Sequence, residues 1–358
     1  HTYELTRKMP SDVDMTFLMP NRGEVTVDWM KIRRVNATVG FGPYRVFKGS
    51  VISESLMNSI KNYAQEVCKI SQEIDFDVVH CHDWLTILGG VCAKRKTGNP
   101  LIFTVHSTEY DRSIGNPCPW VMDVEKYGIE EADGIIAVSK RIKRQIIEKY
   151  NADPKKIEVI YNAIDANSFD IGSRVEPGDH VILSLGRLTL HKGIDHLLRA
   201  ARIVVDHHPK AKFFIAGKGD KFKELLELSI DLGLENNVFF LGYVPQDDIP
   251  KLYDMADVFV MPSVLEPFGI TALEAMAAGT PTIVSKTSGV SEVTSNVFKV
   301  DFWDTEKMSS RILEILNYKE LYEEMSNNCR SEAKRLRWED ISKQTSDFYR
   351  KVIERVIK

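Results

Sequence analysis

Two hydrophobic rhythms alternate along this 358-residue chain. Short β-branched runs such as "DVVHCH", "LIFTVH", "GIIAVS" and "IEVIYN" are separated by longer stretches with apolar residues at helical spacing, such as "SLMNSIKNYAQEVCKI". Strand and helix in alternation predict βαβ units and a parallel sheet. The rhythm breaks at "IGSRVEPGDH", a polar stretch with Gly and Pro that reads as a linker, so a domain boundary is expected near Gly172 to Asp179. It then restarts with "HVILSLGRL", "AKFFIAGKG", "NVFFLGYV", "VFVMPS" and "TPTIVS", which predicts a second doubly wound sheet.

Beyond Asp304 the pattern is almost wholly helical. The last helix carries apolar or aromatic residues at Ile341, Phe348, Val352 and Val356, a face expected to pack back on the first domain. The expected division is therefore a first Rossmann-like domain over residues 1–172, a second over 180–337 and a returning helix over 338–358. A chain of this length is too long for one ordinary core and suits two. In doubly wound sheets ligands sit at the carboxyl ends of the strands, so function is expected in strand-end loops and in a cleft where two such sheets face one another.

Composition narrows the classes. With 43% hydrophobic and 27% charged residues and no apolar run near bilayer length, the chain reads as a globular protein without an integral membrane segment, leaving peripheral membrane contact open. Lys and Arg number 47 against 51 Asp and Glu, which gives no overall electrostatic footprint for nucleic acid. Cys68, Cys81, Cys92, Cys118 and Cys329 are odd in number, scattered and free of any CxxC pair, so reduced thiols and a cytoplasmic setting are expected.

The chemistry concentrates in a few loops. In "SVLEPFGITALEAMAAGTPTIVS", Pro267, Phe268 and Gly269 form a turn feeding a helix, whose first amides, those of Ile270 and Thr271 among them, lack internal partners and attract an anion. Glu274 is placed to accept hydrogen bonds from two vicinal hydroxyls, as carboxylates do for ribose, and Glu266 faces the same region. The competing structural reading is a capping box over Thr271 to Glu274. In "LGRLTLHKGIDHLLRAA", Arg187 and Lys192 precede a helix, a pair of fixed cations suited to a diphosphate. Gly217 opens "GKGD", a G-x-G that marks either a phosphate loop or a tight turn. His80 and His82 alternate along a strand and are expected not to converge on one site, which argues against a metal centre with Asp83. Asp12 and Asp14 form an Asp-x-Asp pair in a position expected at the surface.

The segments "GRLTLHKG", "IAGKGD", "LGYVP", "EPFGITALEAMAAGTP" and "VIYNAID" resemble the retaining nucleotide-sugar glycosyltransferases of glycosyltransferase family 4, which have the GT-B fold. Likewise "VVHCHDW" and "FTVHSTEYDRS" are similar to the glycogen and starch synthase branch. The resemblance implies that Arg187 and Lys192 hold the donor diphosphate, Glu274 the ribose and Glu266 the transferred sugar. Backbone amides of Phe268, Gly269 and Ile270, together with Thr271, Gly217 and Tyr243, would lie on the donor. His106 and Asp83 would line the reacting sugar, and Asn162 the interdomain cleft. It implies a UDP- or ADP-glucose donor, a carbohydrate acceptor, no added cofactor and no metal. Family members also begin with a strand and a glycine-rich loop that this sequence lacks, so an incomplete record of the natural protein is expected. A lipid or small-molecule acceptor is the alternative within the family, and a non-catalytic carbohydrate-binding relative is the alternative outside it.

Overall fold

The computed structural model describes residues 1–21, 25–37, 47–48, 51–52, 54–172 and 180–357. The expected linker from Gly172 to Asp179 lies, apart from Gly172, outside the described residues. The chain forms two compact units, one of residues 1–161 and 338–358 and the other of residues 162–337. The second unit thus starts at Asn162, before the polar stretch. Its opening segment is tied in by the Ile164 amide, which donates to the Leu336 carbonyl at 3.1 Å, and by Phe169 packed edge-on against Tyr253.

In the first unit, strands β1 (Thr16–Pro20) and β2 (Lys31–Val35) form a parallel pair, and β3 (Phe47–Lys48) and β4 (Val51–Ile52) a short antiparallel one. A four-stranded parallel sheet follows, ordered β5 (Val79–His82), β6 (Leu101–Val105), β7 (Gly134–Ala137), β8 (Ile157–Val159). Every residue of β6 and β7 is buried, the signature of parallel strands covered on both faces. Residues of both β1 and β5 line a cavity of about 880 Å³, among them Phe17, Leu18, Val79 and Cys81, with Tyr63 and Tyr349 from the helices. The helix Trp338–Ile357 belongs to this unit: Gly134 leaves room for Phe348 and Val352, and Ser342 donates to the Leu5 carbonyl at 2.9 Å. Of its four expected apolar contacts, Ile341, Phe348 and Val352 are buried, whereas Val356, in the last turn, faces solvent.

The cysteine expectation is corrected here. Cys68 and Cys92 form a disulfide between the helices Glu54–Ile70 and Trp84–Thr97, so scattered spacing did not mean unpaired thiols. Helix packing brings together residues 24 apart. Cys81, Cys118 and Cys329 are free and buried.

The second unit is one six-stranded parallel sheet: β9 (Val181–Leu185), β10 (Lys212–Ala216), β11 (Val238–Gly242), β12 (Val258–Met261), β13 (Thr282–Ser285) and β14 (Phe298–Val300). Their spatial order is β11-β10-β9-β12-β13-β14, which numbered within the unit is 3-2-1-4-5-6, the dinucleotide-binding order. The order reverses between β9 and β12, so the loops after these two strands flank the switch point. Helix Ile194–His207 covers the sheet with Ile194, Leu197, Leu198, Ala201, Val204 and Val205, all buried at helical spacing. Helix Ile270–Ala278 is buried nearly all round by Ala272, Leu273, Ala275, Met276, Ala277 and Ala278, and Thr271 and Glu274 are its polar positions.

Candidate functional site

In the second unit, the loops after β9 and β12 are built against each other. Gly193 has φ 64° and approaches so closely that a Cβ there would lie 2.2 Å from the Pro262 carbonyl oxygen. Beside it, Val264 and Leu265 donate their amides to the His191 carbonyl at 3.0 and 3.3 Å. This docking brings Lys192 to Glu266, Nζ to Oε2 at 2.6 Å, and Ser263 Oγ donates to the same oxygen at 3.2 Å. Burial alone would raise the Glu266 carboxyl, but the Lys192 charge and these hydrogen bonds outweigh it and hold the group below its ordinary range. His191 is pushed down to about 4, first by burial and then by the charges of Lys192 and Arg187, which places both cations about one neutral imidazole.

Glu274 is oriented differently. No side chain caps the helix after Gly269, so the capping box does not form. Instead the fully buried Tyr253 donates its hydroxyl to Glu274 Oε2 at 2.8 Å. Burial raises the Glu274 carboxyl, and the tyrosine hydrogen bond works against that rise. Phe268 is buried beneath the turn, and its carbonyl accepts from the Val290 amide at 2.6 Å, so the turn is braced from the loop after β13.

The G-x-G loop packs closely on its neighbour. A Cβ on Gly217, at φ 136°, would lie 1.8 Å from the Gly186 carbonyl, so glycine there lets the loop after β10 close on the one that carries Arg187. The Gly217 amide donates to Gly242, next to Tyr243, whose ring is 69% exposed. Asn162 is buried, and its Oδ1 has no hydrogen-bond partner among the described residues.

In the first unit, the ends of β5 and β6 carry three histidines. Here the alternation argument is corrected: residues i and i+2 of a strand share a face, and the His80 and His82 rings lie 4.3 Å apart. His82 Nδ1 is 3.0 Å from His106 Nε2. His80 is spent within the core, with Nδ1 2.6 Å from the Tyr349 hydroxyl and Nε2 2.6 Å from the Thr104 hydroxyl. Burial pushes His106 down to about 4 and His80 to about 3, and it lowers His82 as well, so all three are neutral at pH 7.

Asp83 links the strand ends. It has φ 55°, a strained value for a residue with a Cβ, and its Oδ1 accepts the His106 amide at 2.8 Å. The carboxylate is therefore turned to the backbone that carries His106. Burial raises it, while the nearby Arg112 charge and the amides of His106 and Ser107 pull the other way. Asp12 and Asp14 are exposed and paired with Arg350 and Lys31, a surface pair as expected.

A buried ionic network under the His106 loop escaped the sequence reading. Arg112 donates to the Ser107 carbonyl at 3.1 Å and hydroxyl at 2.8 Å, and pairs with Glu109 at 3.1 Å and with Glu125. Glu125 also accepts from the Glu109 amide at 3.0 Å and from the Tyr150 hydroxyl. Arg141 and Gln145 both hold Asp111 Oδ1, at 2.9 Å each. The one signal in sequence was the charge-rich "TEYDR" directly after a strand-ending histidine.

Residues 168–332 match the model "Glycosyl transferases group 1", and residues 1–168 match "Glycosyltransferase Family 4". An uncharacterized glycosyltransferase of Methanocaldococcus jannaschii is 36% identical over 299 residues, 78% of this chain and 76% of that protein. The chain belongs to glycosyltransferase family 4. A glycogen synthase of Mycobacterium tuberculosis is 32% identical over 229 residues, 62% of this family 4 chain and 54% of the synthase, so the match spans about half of that relative. Among solved structures, sucrose-phosphate synthase from Thermosynechococcus elongatus superposes with a TM-score of 0.78 at 21% identity, covering 95% and 89% of the two chains. Anabaena HepE in complex with UDP-glucose gives 0.69 at 21% identity, covering 80% and 81%. These place the family 4 chain in the GT-B fold. No helix among its described residues is long and apolar enough to cross a membrane.

Proposed function

We propose that this protein is a retaining hexosyltransferase that moves a glucosyl group from a nucleotide-diphosphate sugar to a hydroxyl of a sugar or glucan. The observation that carries the reading is the Lys192–Glu266 pair at the switch point of a 3-2-1-4-5-6 sheet, with Glu274 held by Tyr253 on the adjoining helix.

In this reading Arg187 and Lys192 meet the diphosphate charge, aided by the helix-start amides of Gly269, Ile270 and Thr271. Glu274 accepts from the two ribose hydroxyls, since Tyr253 engages only one face of its carboxylate. Glu266, kept ionised by Lys192, accepts from hydroxyls of the transferred sugar. As the bond from the anomeric carbon to the diphosphate oxygen breaks, negative charge grows where the two cations are fixed, so their stabilisation is greatest in the transition state. The leaving phosphate oxygen takes the acceptor's proton, and no protein nucleophile is needed.

His106 faces the sugar with Nδ1 or its backbone carbonyl, because Nε2 is turned to His82. Asp83 acts through the His106 amide as a positioning residue. Asn162 Oδ1, buried without a partner, is an acceptor that a ligand hydroxyl would satisfy. UDP-glucose is the first donor to test, because HepE was crystallised with it; ADP-glucose is the second.

The test is turnover of each donor by the purified chain over a panel of sugar and glucan acceptors, with the product's anomeric configuration read by NMR. Retained configuration, and loss of transfer in Lys192→Ala, are expected. Inverted product or undiminished transfer in Lys192→Ala would overturn the reading.

A further inference from the structure

We propose that His1, His82 and His106 form a site for a transition-metal cation of the zinc or cobalt class, and that its occupation stops sugar transfer. The second half rests on the role given to His106 above; the first half does not.

Among the described residues, this is the one group of three His, Cys, Asp or Glu side chains whose ligand atoms all come within 4.8 Å of one another. Two of the three are at a suitable spacing. His82 Nδ1 and His106 Nε2 are 3.0 Å apart, close to the edge of about 3.3 Å that a tetrahedron with metal–nitrogen bonds of 2.0–2.1 Å requires. The ring centroids are 5.2 Å apart at an interplanar angle of 15°, so the two nitrogens meet nearly head-on and each ring turns on its Cβ to aim both at one ion.

His1 supplies the third nitrogen. Its ring stands edge-on to both, with centroids 4.4 Å from His106 and 5.6 Å from His82, and it also lies edge-on to the Trp338 ring at 5.2 Å. Trp338 is buried, so this imidazole rests on a fixed wall. His80 adds no fourth ligand, since Tyr349 and Thr104 take both of its nitrogens. Asp83 directs Oδ1 at the His106 amide. Three protein ligands leave one position for water or a substrate oxygen, the arrangement of an open zinc site.

The donor set selects the ion. Three imidazoles suit Zn²⁺, Co²⁺, Ni²⁺ or Cu²⁺, whereas Mg²⁺ and Ca²⁺ require oxygen ligands. Binding balances without net proton release. The N–H now shared between His82 and His106 moves to the far nitrogen of its own ring, and both facing nitrogens then offer lone pairs. The metal holds His106 by Nε2 and puts a cation beside the ring assigned to the sugar's developing positive charge, so transfer stops.

The experiment uses the full chain stripped with chelator and desalted, with Co²⁺ as a visible probe and Zn²⁺ by calorimetry. One ion per chain is expected, with the visible absorption of nitrogen-coordinated Co²⁺. His1→Ala and His82→Ala should each weaken binding by about tenfold or more. Should His82→Ala fail to fold, His1→Ala alone decides.

No stoichiometric ion, or binding indifferent to both substitutions, would overturn the site. For the inhibitory half, transfer in the unmodified chain should fall in step with Zn²⁺ occupancy and resist the same Zn²⁺ in His1→Ala. Full transfer at full occupancy would overturn that half. A chain that binds one ion through these histidines yet transfers no sugar would overturn the proposed function and leave the site standing.

Discussion

Lys192 Nζ lies 2.6 Å from Glu266 Oε2, across 74 residues of sequence, and neither side chain is more than one-fifth exposed. Each charge is thus the other's main compensation. Removing the lysine strips the candidate site of a cation and also leaves a carboxylate buried without its partner.

Lys192→Ala should lower kcat/KM by about 10² or more and also reduce Tm. The double variant Lys192→Ala with Glu266→Gln should regain the lost Tm and none of the activity. Melting curves and steady-state rates on the three proteins check this, and recovered activity in the double variant would remove Lys192 from the donor site. The pair also has a pH signature. Glu266 is depressed in the folded state, so its contribution to stability is present above the unfolded carboxylate value and is lost as pH falls through the lower folded one.

Glu274 has the opposite shift. Its carboxyl is raised by burial, so it takes up a proton in the folded protein at a higher pH than an ordinary glutamate, and a protonated group accepts fewer hydrogen bonds from ribose. Donor affinity measured by calorimetry from about pH 8 down to about pH 5 should therefore fall before ordinary carboxylates titrate. Glu274→Gln should bind about tenfold more weakly, a loss of about 1.4 kcal/mol, and show a flat profile over the same range. A variant with the parent's pH dependence would place the titrating group elsewhere.

His106, just after β6, and His80, within the neighbouring strand β5, make a matched pair of tests. His106→Ala should lower kcat by about 10² or more with donor affinity and Tm nearly unchanged. His80→Ala should do the reverse, since it strands the Tyr349 and Thr104 hydroxyls in the core at about 1–3 kcal/mol for each unsatisfied group. A destabilised His106→Ala whose folded fraction turns over normally would make His106 a core residue too.

Arg112 is the compensating charge for Glu109 and Glu125, with Asp83 close enough to feel it. Arg112→Met should cost about 3–5 kcal/mol of stability at neutral pH. The sign with pH follows from the carboxylates it leaves behind. Glu125 and Asp83 are already raised by burial against the Arg112 charge, so without the arginine they rise further above the unfolded values and the variant should recover stability as pH falls. Denaturant melts at neutral and mildly acidic pH decide this, and an equal deficit at both would show that the arginine acts by packing alone.

Chelator should leave transfer largely intact, because the diphosphate is assigned to Arg187, Lys192 and helix amides. Loss of rate with EDTA, restored by Mg²⁺ or Mn²⁺, would refute that assignment.

What the sequence determined by itself was local and periodic. The alternation of β-branched runs with amphipathic stretches specified parallel βαβ units, because side-chain period is a property of a few consecutive residues. The loop placing Arg187 and Lys192 before a helix, and the Pro-Phe-Gly turn between Glu266 and Glu274, were legible for the same reason. Period also determined that His80 and His82 share a strand face, a rule the initial alternation argument misapplied.

The tertiary structure alone decided which partner each side chain takes. Glu274 meets Tyr253 rather than its own helix start, Lys192 meets Glu266, His82 meets His106, Arg112 meets Glu125, and Cys68 is bonded to Cys92. Each of these contacts joins residues on different elements. The register of parallel strands and the packing of the helices between them set such distances, and neither is written in the periodicity of any one segment.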